Sequence, residues 1–163
     1  MTKNTNFSIF PACPDDISVL VDHHKRMFKE ILLSQGSDSH IPDWEDLDNA
    51  YKNKLNSELG HECNAWIMKT SDNKTVASGA VSIISMVPVP NENSCNVAFL
   101  HSVFTENEYR NKGFAGRILK EIINYCKDQG IKRIFLNASN DGMPLYKKIG
   151  FESVDNYMRL WLE

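Results

Sequence analysis

The run at 97–105 is apolar and rich enough in Val and Phe to be a strand. It leads through a charged loop into Gly113 and then into a helix whose Phe114, Ala115, Ile118, Leu119, Ile122, Ile123 and Cys126 share one face. Gly130 closes that helix and a second strand-like run, 131–138, follows. A strand, a helix and a strand in this order predict a right-handed crossover, which makes the two strands parallel neighbours. Ligands of α/β sheets collect where such strands end, and this chain has a glycine there, at the mouth of the helix. Glycine admits close approach to the backbone, and the first-turn amides have no partners inside the helix. Together with the positive end of the helix dipole they form a ready anion site. Arg110, Lys112 and Arg117 add positive charge around it. A pyrophosphate carried by a cofactor is the natural occupant.

The register of the glycines excludes two common nucleotide loops. No Gly-x-x-x-x-Gly-Lys-Ser/Thr is present, and Gly113 followed by Gly116 does not fit Gly-x-Gly-x-x-Gly. What stands there is Arg110-Asn111-Lys112-Gly113-Phe114-Ala115, an Arg-x-x-Gly-x-Ala motif. Upstream lies Val103-Phe104-Thr105-Glu106-Asn107-Glu108-Tyr109. Downstream come Leu136-Asn137-Ala138-Ser139 and then Pro144-Leu145-Tyr146-Lys147-Lys148-Ile149-Gly150-Phe151. In order and spacing these blocks resemble the acyl-CoA-binding region of the GNAT superfamily of N-acetyltransferases.

That resemblance implies an α/β (α+β) fold with a mixed, mostly antiparallel sheet of six to seven strands. Its fourth and fifth strands form a parallel pair that splays apart, and about four helices flank the sheet. It implies acetyl-CoA as co-substrate, with the pyrophosphate on the amides of Lys112, Gly113, Phe114, Ala115 and Gly116, beside Arg110 and Asn111. The main chain of Val103 and Thr105 would pair with the pantetheine arm, as an exposed strand edge pairs with an extended amide-bearing ligand. Tyr146 stands at the position of the family's usual general acid, a phenol that protonates the departing thiolate; the alternative is an aromatic packed in a short helix. Ser139 stands where many relatives carry an asparagine that contacts the arm, and capping the following helix is its other reading. The family's base position on the fourth strand falls on Phe99, which cannot serve. His101, two residues on and on the same strand face, is the candidate base, against the reading of a core histidine. Two departures stand in the loop: Asn107 replaces a common proline, and Asn111 replaces a glycine. Asparagine tolerates the left-handed conformation, so Asn111 can hold the turn.

The expected acceptor is a small-molecule amine, with a protein N-terminus or lysine as the alternative and a non-catalytic CoA-binding sensor as a third reading. Arg26, Met27, Phe28 and Glu30 resemble a segment that borders the acceptor pocket. The acidic residues Asp15, Asp16, Asp43, Glu45, Asp46 and Asp48 either attract a cationic amine or serve as helix-start charges. A homodimer stays open.

At 163 residues the chain reads as one domain, 1–163, able to bury about 70% of its unfolded surface without metal or disulfide support. Net charge of −3 and a pI near 6.0 disfavour nucleic acid as the main partner. No run approaches the roughly 20 apolar residues of a membrane span, so no membrane partner is expected and the location reads as cytoplasmic. Cys13, Cys63, Cys95 and Cys126 are dispersed and read as buried reduced thiols. No metal is expected: His23 and His24 are helix neighbours that point in different directions.

The N-terminal half predicts a short strand at 7–10, a helix opened by Pro14, and a polar loop at 36–42. Asp43 then caps a second helix carrying Trp44, Leu47, Tyr51, Leu55 and Leu59. Strands at 63–69 and 75–86 flank the turn 71–74, and a helix at 143–149 precedes a final hairpin from 151–154 and 157–162.

Overall fold

The computed structural model describes residues 6–36, 42–154 and 157–162. Their element order is β1 (Phe7–Pro11), α1 (Ile17–Gln35), α2 (Trp44–Glu58), β2 (Cys63–Thr70), β3 (Thr75–Ser85), β4 (Asn96–Thr105), α3 (Phe114–Asp128), β5 (Ile134–Leu136) and α4 (Met143–Ile149). The strands form one sheet in the order β1-β2-β3-β4-β5. β1 to β4 pair antiparallel, and β4 pairs with β5 parallel, as the crossover through α3 requires.

Helices cover both faces. On β2, residues of alternate parity part company: Cys63, Ala65 and Ile67 join Ile17, Leu20, Tyr51 and Leu55 of α1 and α2, while Trp66 and Met68 join Ile118, Leu119 and Ile122 of α3. Each face of the sheet therefore has its own apolar layer, and the period of two along the strand assigns the residues between them. The apolar stripe of α3, from Phe114 through Cys126, is buried against the sheet, and each such aliphatic or aromatic side chain contributes roughly 1.5–3 kcal/mol. Asp43 caps α2 as expected, its Oδ1 accepting from the amides of Glu45 and Asp46 at 3.0 Å.

Gly79 marks the closest approach of sheet and helix. A Cβ there would sit 2.7 Å from Ile118 Cγ2 and 3.3 Å from Ile122 Cδ1, both β-branched side chains fixed on α3. Gly79→Ala is therefore expected to destabilise the fold by about 1–3 kcal/mol, read as a lowered urea midpoint with an unchanged slope.

The final hairpin is a correction. Five strands are present among the described residues, fewer than the six to seven expected, and 151–154 and 157–162 are not paired as strands. Tyr157, Met158, Leu160, Trp161 and Leu162 are largely exposed. β5 is also shorter than the run 131–138 that predicts it. Part of the polar loop at 36–42 lies outside the described residues. Cys63 and Cys126 are buried as expected, whereas Cys13 and Cys95 are exposed. No helix among the described residues is long and apolar enough to cross a membrane.

Candidate functional site

β4 and β5 part company early. Their pairing runs from Ala98–Ile134 to Leu100–Leu136 and stops there, while β4 continues to Thr105 without a β5 partner. The gap opens into a cleft of about 1650 Å³. Its floor is β4 from Phe99 to Thr105, which has no β5 partner beyond Leu100. One wall carries Asn111, Gly113, Ala115 and Gly116 at the start of α3, another Asn137, Ala138, Ser139 and Tyr146, and a third His24, Met27, Phe28 and Tyr51 of α1 and α2.

The nest at α3 is built by two left-handed residues. Gly113, at the cap position, has φ 76°, and Asn111, where a glycine was the usual residue, has φ 59°. The first bond of the helix runs from the Arg117 amide to the Gly113 carbonyl at 3.1 Å, so the amides of the turn before it are left for a ligand. Phe114 turns its ring into the core against Phe7, at a centroid distance of 4.5 Å. Its contribution to an anion site is its amide.

The cations of the loop are tied down more than sequence alone indicates. Arg110 donates through Nη2 to both carboxylate oxygens of Glu30, at 2.9 and 2.7 Å, and through Nε to the Thr105 carbonyl at 2.9 Å. Its guanidinium also lies over the Phe104 ring. Its charge is thus largely matched within the chain. Lys112 Nζ donates to the Glu108 carbonyl at 3.0 Å, and Arg117 Nη2 to the Phe7 carbonyl at 3.3 Å. A second pair locks the same two elements together: Arg26 of α1 holds Glu106 through two hydrogen bonds of 2.7 and 2.5 Å. That guanidinium holds the Glu106 carboxyl below the usual carboxylate range. Lys112 and Arg117 bond to carbonyls and keep their charge, so an anion at the nest meets these two cations as well as the amides and the dipole.

β4 carries an irregularity that no residue type announces. Pairing with β3 steps from Ala80–His101 to Ser78–Phe104, so Ser102 and Val103 lie opposite Gly79 in a bulge. Ser102 has φ 55°, a left-handed conformation that costs a non-glycine residue roughly 1–2 kcal/mol. The bulge aims the buried Ser102 hydroxyl between two imidazoles: Oγ lies 2.8 Å from His24 Nδ1 and 2.9 Å from His101 Nδ1. The other nitrogen of His101, Nε2, is 2.9 Å from Ser82 Oγ. Aromatic rings close around the group. Tyr51 stacks on His24 at 4.0 Å, Phe28 meets it edge-on at 5.0 Å, and Phe99 lies 6.0 Å from His101. Burial pushes both histidines down to about 4, against the partial opposition of Asp48 at His24, so both are neutral at physiological pH.

His101 is thus at the cleft, as expected, with both ring nitrogens bonded. His24 was considered in the sequence beside His23, as a helix neighbour poorly placed for a shared metal, and Ser102 was not singled out. His23 is buried, with Nδ1 2.8 Å from Ser78 Oγ. Tyr146 lines the cleft from α4, and burial raises its phenol. Its ring packs edge-on against Phe151 at 5.8 Å and rests over Gly142, where a Cβ would meet Cε2 at 3.0 Å. Ser139 lines the cleft, and its Oγ accepts from the Gly142 amide at 3.2 Å just before α4. Thr105 Oγ1 is buried at the floor without a hydrogen-bond partner among the described residues. The arrangement offers an anion seat, an unpaired strand edge, a protonated phenol and neutral imidazoles along one cleft.

Comparison with known proteins adds to the geometry. The sequence model of the Acetyltransferase (GNAT) family matches residues 25–151. A protein from Clostridium acetobutylicum, described as a predicted acetyltransferase and solved with acetyl-CoA, superposes with a TM-score of 0.79 at 28% identity, covering 95% of this chain and 96% of the other. Among curated proteins, the glucosamine 6-phosphate N-acetyltransferase of Trypanosoma brucei brucei is 25% identical over 64 residues, 39% of this chain and 44% of the relative. Human N-acetyltransferase 8B is 27% identical over 66 residues, 38% of this chain and 29% of the relative. The chain therefore matches less than half the length of either curated relative.

Proposed function

The chain belongs to the GNAT acetyltransferase family, and we propose that it is an acetyl-CoA-dependent N-acetyltransferase whose acceptor is a primary amine on a small molecule. The observation that carries this reading is the continuity of one cleft from the amides at the start of α3, past Tyr146, to the neutral histidines. An anion seat at one end and acid–base groups at the other suit a donor with a pyrophosphate handle and a reactive thioester.

The residues present fit acetyl-CoA. The nest amides of 112–116 would take the pyrophosphate. The main chain at Val103 and Thr105 and the orphaned Thr105 hydroxyl would meet the amides of the pantetheine arm, with Ser139 on the facing wall. The Thr105 carbonyl already accepts from Arg110, so an arm pairing there shares that oxygen.

The amine nitrogen attacks the thioester carbonyl, the new C–N bond forms, and the C–S bond breaks as the tetrahedral intermediate collapses. Tyr146 gives its phenolic proton to the departing sulfur; a buried phenol with a raised pKa stays protonated until that moment. The amine's proton leaves into the hydrogen-bonded imidazole cluster that contains His101, kept neutral by burial. No covalent enzyme intermediate is needed. A small-molecule acceptor is supported by the ring-lined acceptor end, where Phe28, Tyr51 and Phe99 stand, and by a relative whose name gives glucosamine 6-phosphate as its substrate.

The test is release of free CoA thiol from acetyl-CoA with a panel of small primary amines and peptides. Activity on a small amine supports the proposal; activity confined to peptides overturns the acceptor class, and silence across the panel overturns the enzyme.

A further inference from the structure

Resting on that transferase reading, we propose that His24 is a catalytic base that meets the acceptor amine, and that Ser102 couples it to His101 and Ser82 in a hydrogen-bonded relay for the amine's proton.

His101 cannot meet the amine with a free lone pair as the site stands, because Ser82 and Ser102 occupy both of its nitrogens. His24 can. Its Nδ1 is held by Ser102, while its Nε2 has no hydrogen-bond partner among the described residues and is not among the atoms sealed from solvent. The residue lines the cleft.

The chain of bonds admits two tautomer sets of opposite direction, and the relay uses one of them. If His24 Nδ1–H donates to Ser102 Oγ, the Ser102 hydroxyl donates to His101 Nδ1, and His101 Nε2–H donates to Ser82 Oγ. In that set His24 Nε2 carries the lone pair that faces the cleft. When the amine attacks, its proton passes to Nε2. Each group along the chain can then hand its own proton onward, so the positive charge is shared between two imidazoles and leaves to solvent after the product. The sulfur's proton comes separately from Tyr146, so one proton leaves the amine and one reaches the thiolate.

The backbone supplies an independent observation. Ser102 is a left-handed non-glycine residue inside a strand bulge, and its strained conformation is what places one hydroxyl within 2.9 Å of both rings. Glycine would suit the backbone better, but it has no hydroxyl. Strain retained at a residue that bridges two cleft imidazoles points to a role for the bridge.

The titratable and charged groups around the pair are Asp48, Tyr51 and Lys54 of α2, with Cys63 of β2 near Ser82 and Tyr51. Of these, Asp48 acts to raise His24 and Lys54 to lower His101.

Two variants on the full chain test the relay, with an amine that the wild type acetylates. His24→Gln is expected to lower kcat on the order of 10²-fold, to leave the acetyl-CoA KM unchanged and to remove the acid limb of the kcat/KM profile. Ser102→Gly relieves the backbone strain but leaves both Nδ1 atoms without their partner, so its fold is checked by urea unfolding, and the folded variant should have kcat lowered about tenfold and that limb moved. A His24→Gln enzyme with wild-type kcat and pH profile would overturn the relay while leaving the transferase reading intact. A wild type inactive on the whole amine panel would instead sink the transferase reading and, with it, this role.

Discussion

Tyr146→Phe is expected to reduce kcat by 10²-fold or more while acetyl-CoA binding persists, because only the hydroxyl is removed. The ring's edge-on contact with Phe151 and its seat over Gly142 need no oxygen, so packing of α4 should be kept. The loss should fall on kcat and on kcat/KM alike, as for an interaction made only when the thiolate departs. Thiol release at saturating amine, together with cofactor-induced stabilisation of the variant, measures both quantities. An unchanged kcat would return Tyr146 to the role of a packing aromatic.

The second large effect concerns acid. His24 and His101 titrate at about 4 in the folded protein, burial being the first cause in each case, against about 6.5 in an unfolded chain. The depressed folded value means that the unfolded state binds protons first as pH falls. Stability is therefore fully present above about pH 6.5 and is lost progressively down to about 4. The buried His23 is lowered in the same direction and adds to the loss. Between pH 7 and pH 5 the unfolding free energy should drop on the order of 2–4 kcal/mol. The carboxylates of Asp16 and Glu106, lowered by their hydrogen bonds and cationic partners, extend the loss below that window. Urea unfolding at a series of pH values reads the curve. A flat profile from pH 7 to 5 would mean that these imidazoles are not buried neutral.

The sequence carried the parts of this molecule that local rules control. β4 and α4 fall at the residues predicted for them, because an apolar run bounded by polar loops and a Pro-opened, Gly-closed helix are short-range signals. The nest was legible for the same reason: Asn111 and Gly113 are residues that tolerate the left-handed turn, and both adopt it. Long-range features were not legible. The Arg110–Glu30 and Arg26–Glu106 pairs join residues 80 apart in sequence, so Arg110 read as a free cation when its charge is matched by Glu30. β5 is shorter than its apolar run because β4 and β5 diverge after Leu136, and divergence is a property of the pair. Ser102 gave no signal, since a left-handed serine looks like any serine. His24 was weighed only as a metal ligand, because its partners Ser102 and Tyr51 lie far away in sequence. The largely apolar run at 157–162 was read with 151–154 as a hairpin, but no strand pairs with either among the described residues.

The measurement closest to the central claim is equilibrium stability across an acetyl-CoA titration. If the α3 nest and the splayed β4–β5 cleft hold the donor, stability rises with ligand, reaching about 2.7 kcal/mol at a hundredfold excess over the dissociation constant and gaining about 1.4 kcal/mol for each further tenfold. A stability that stays flat across the titration would contradict the donor assignment and every reading built on it.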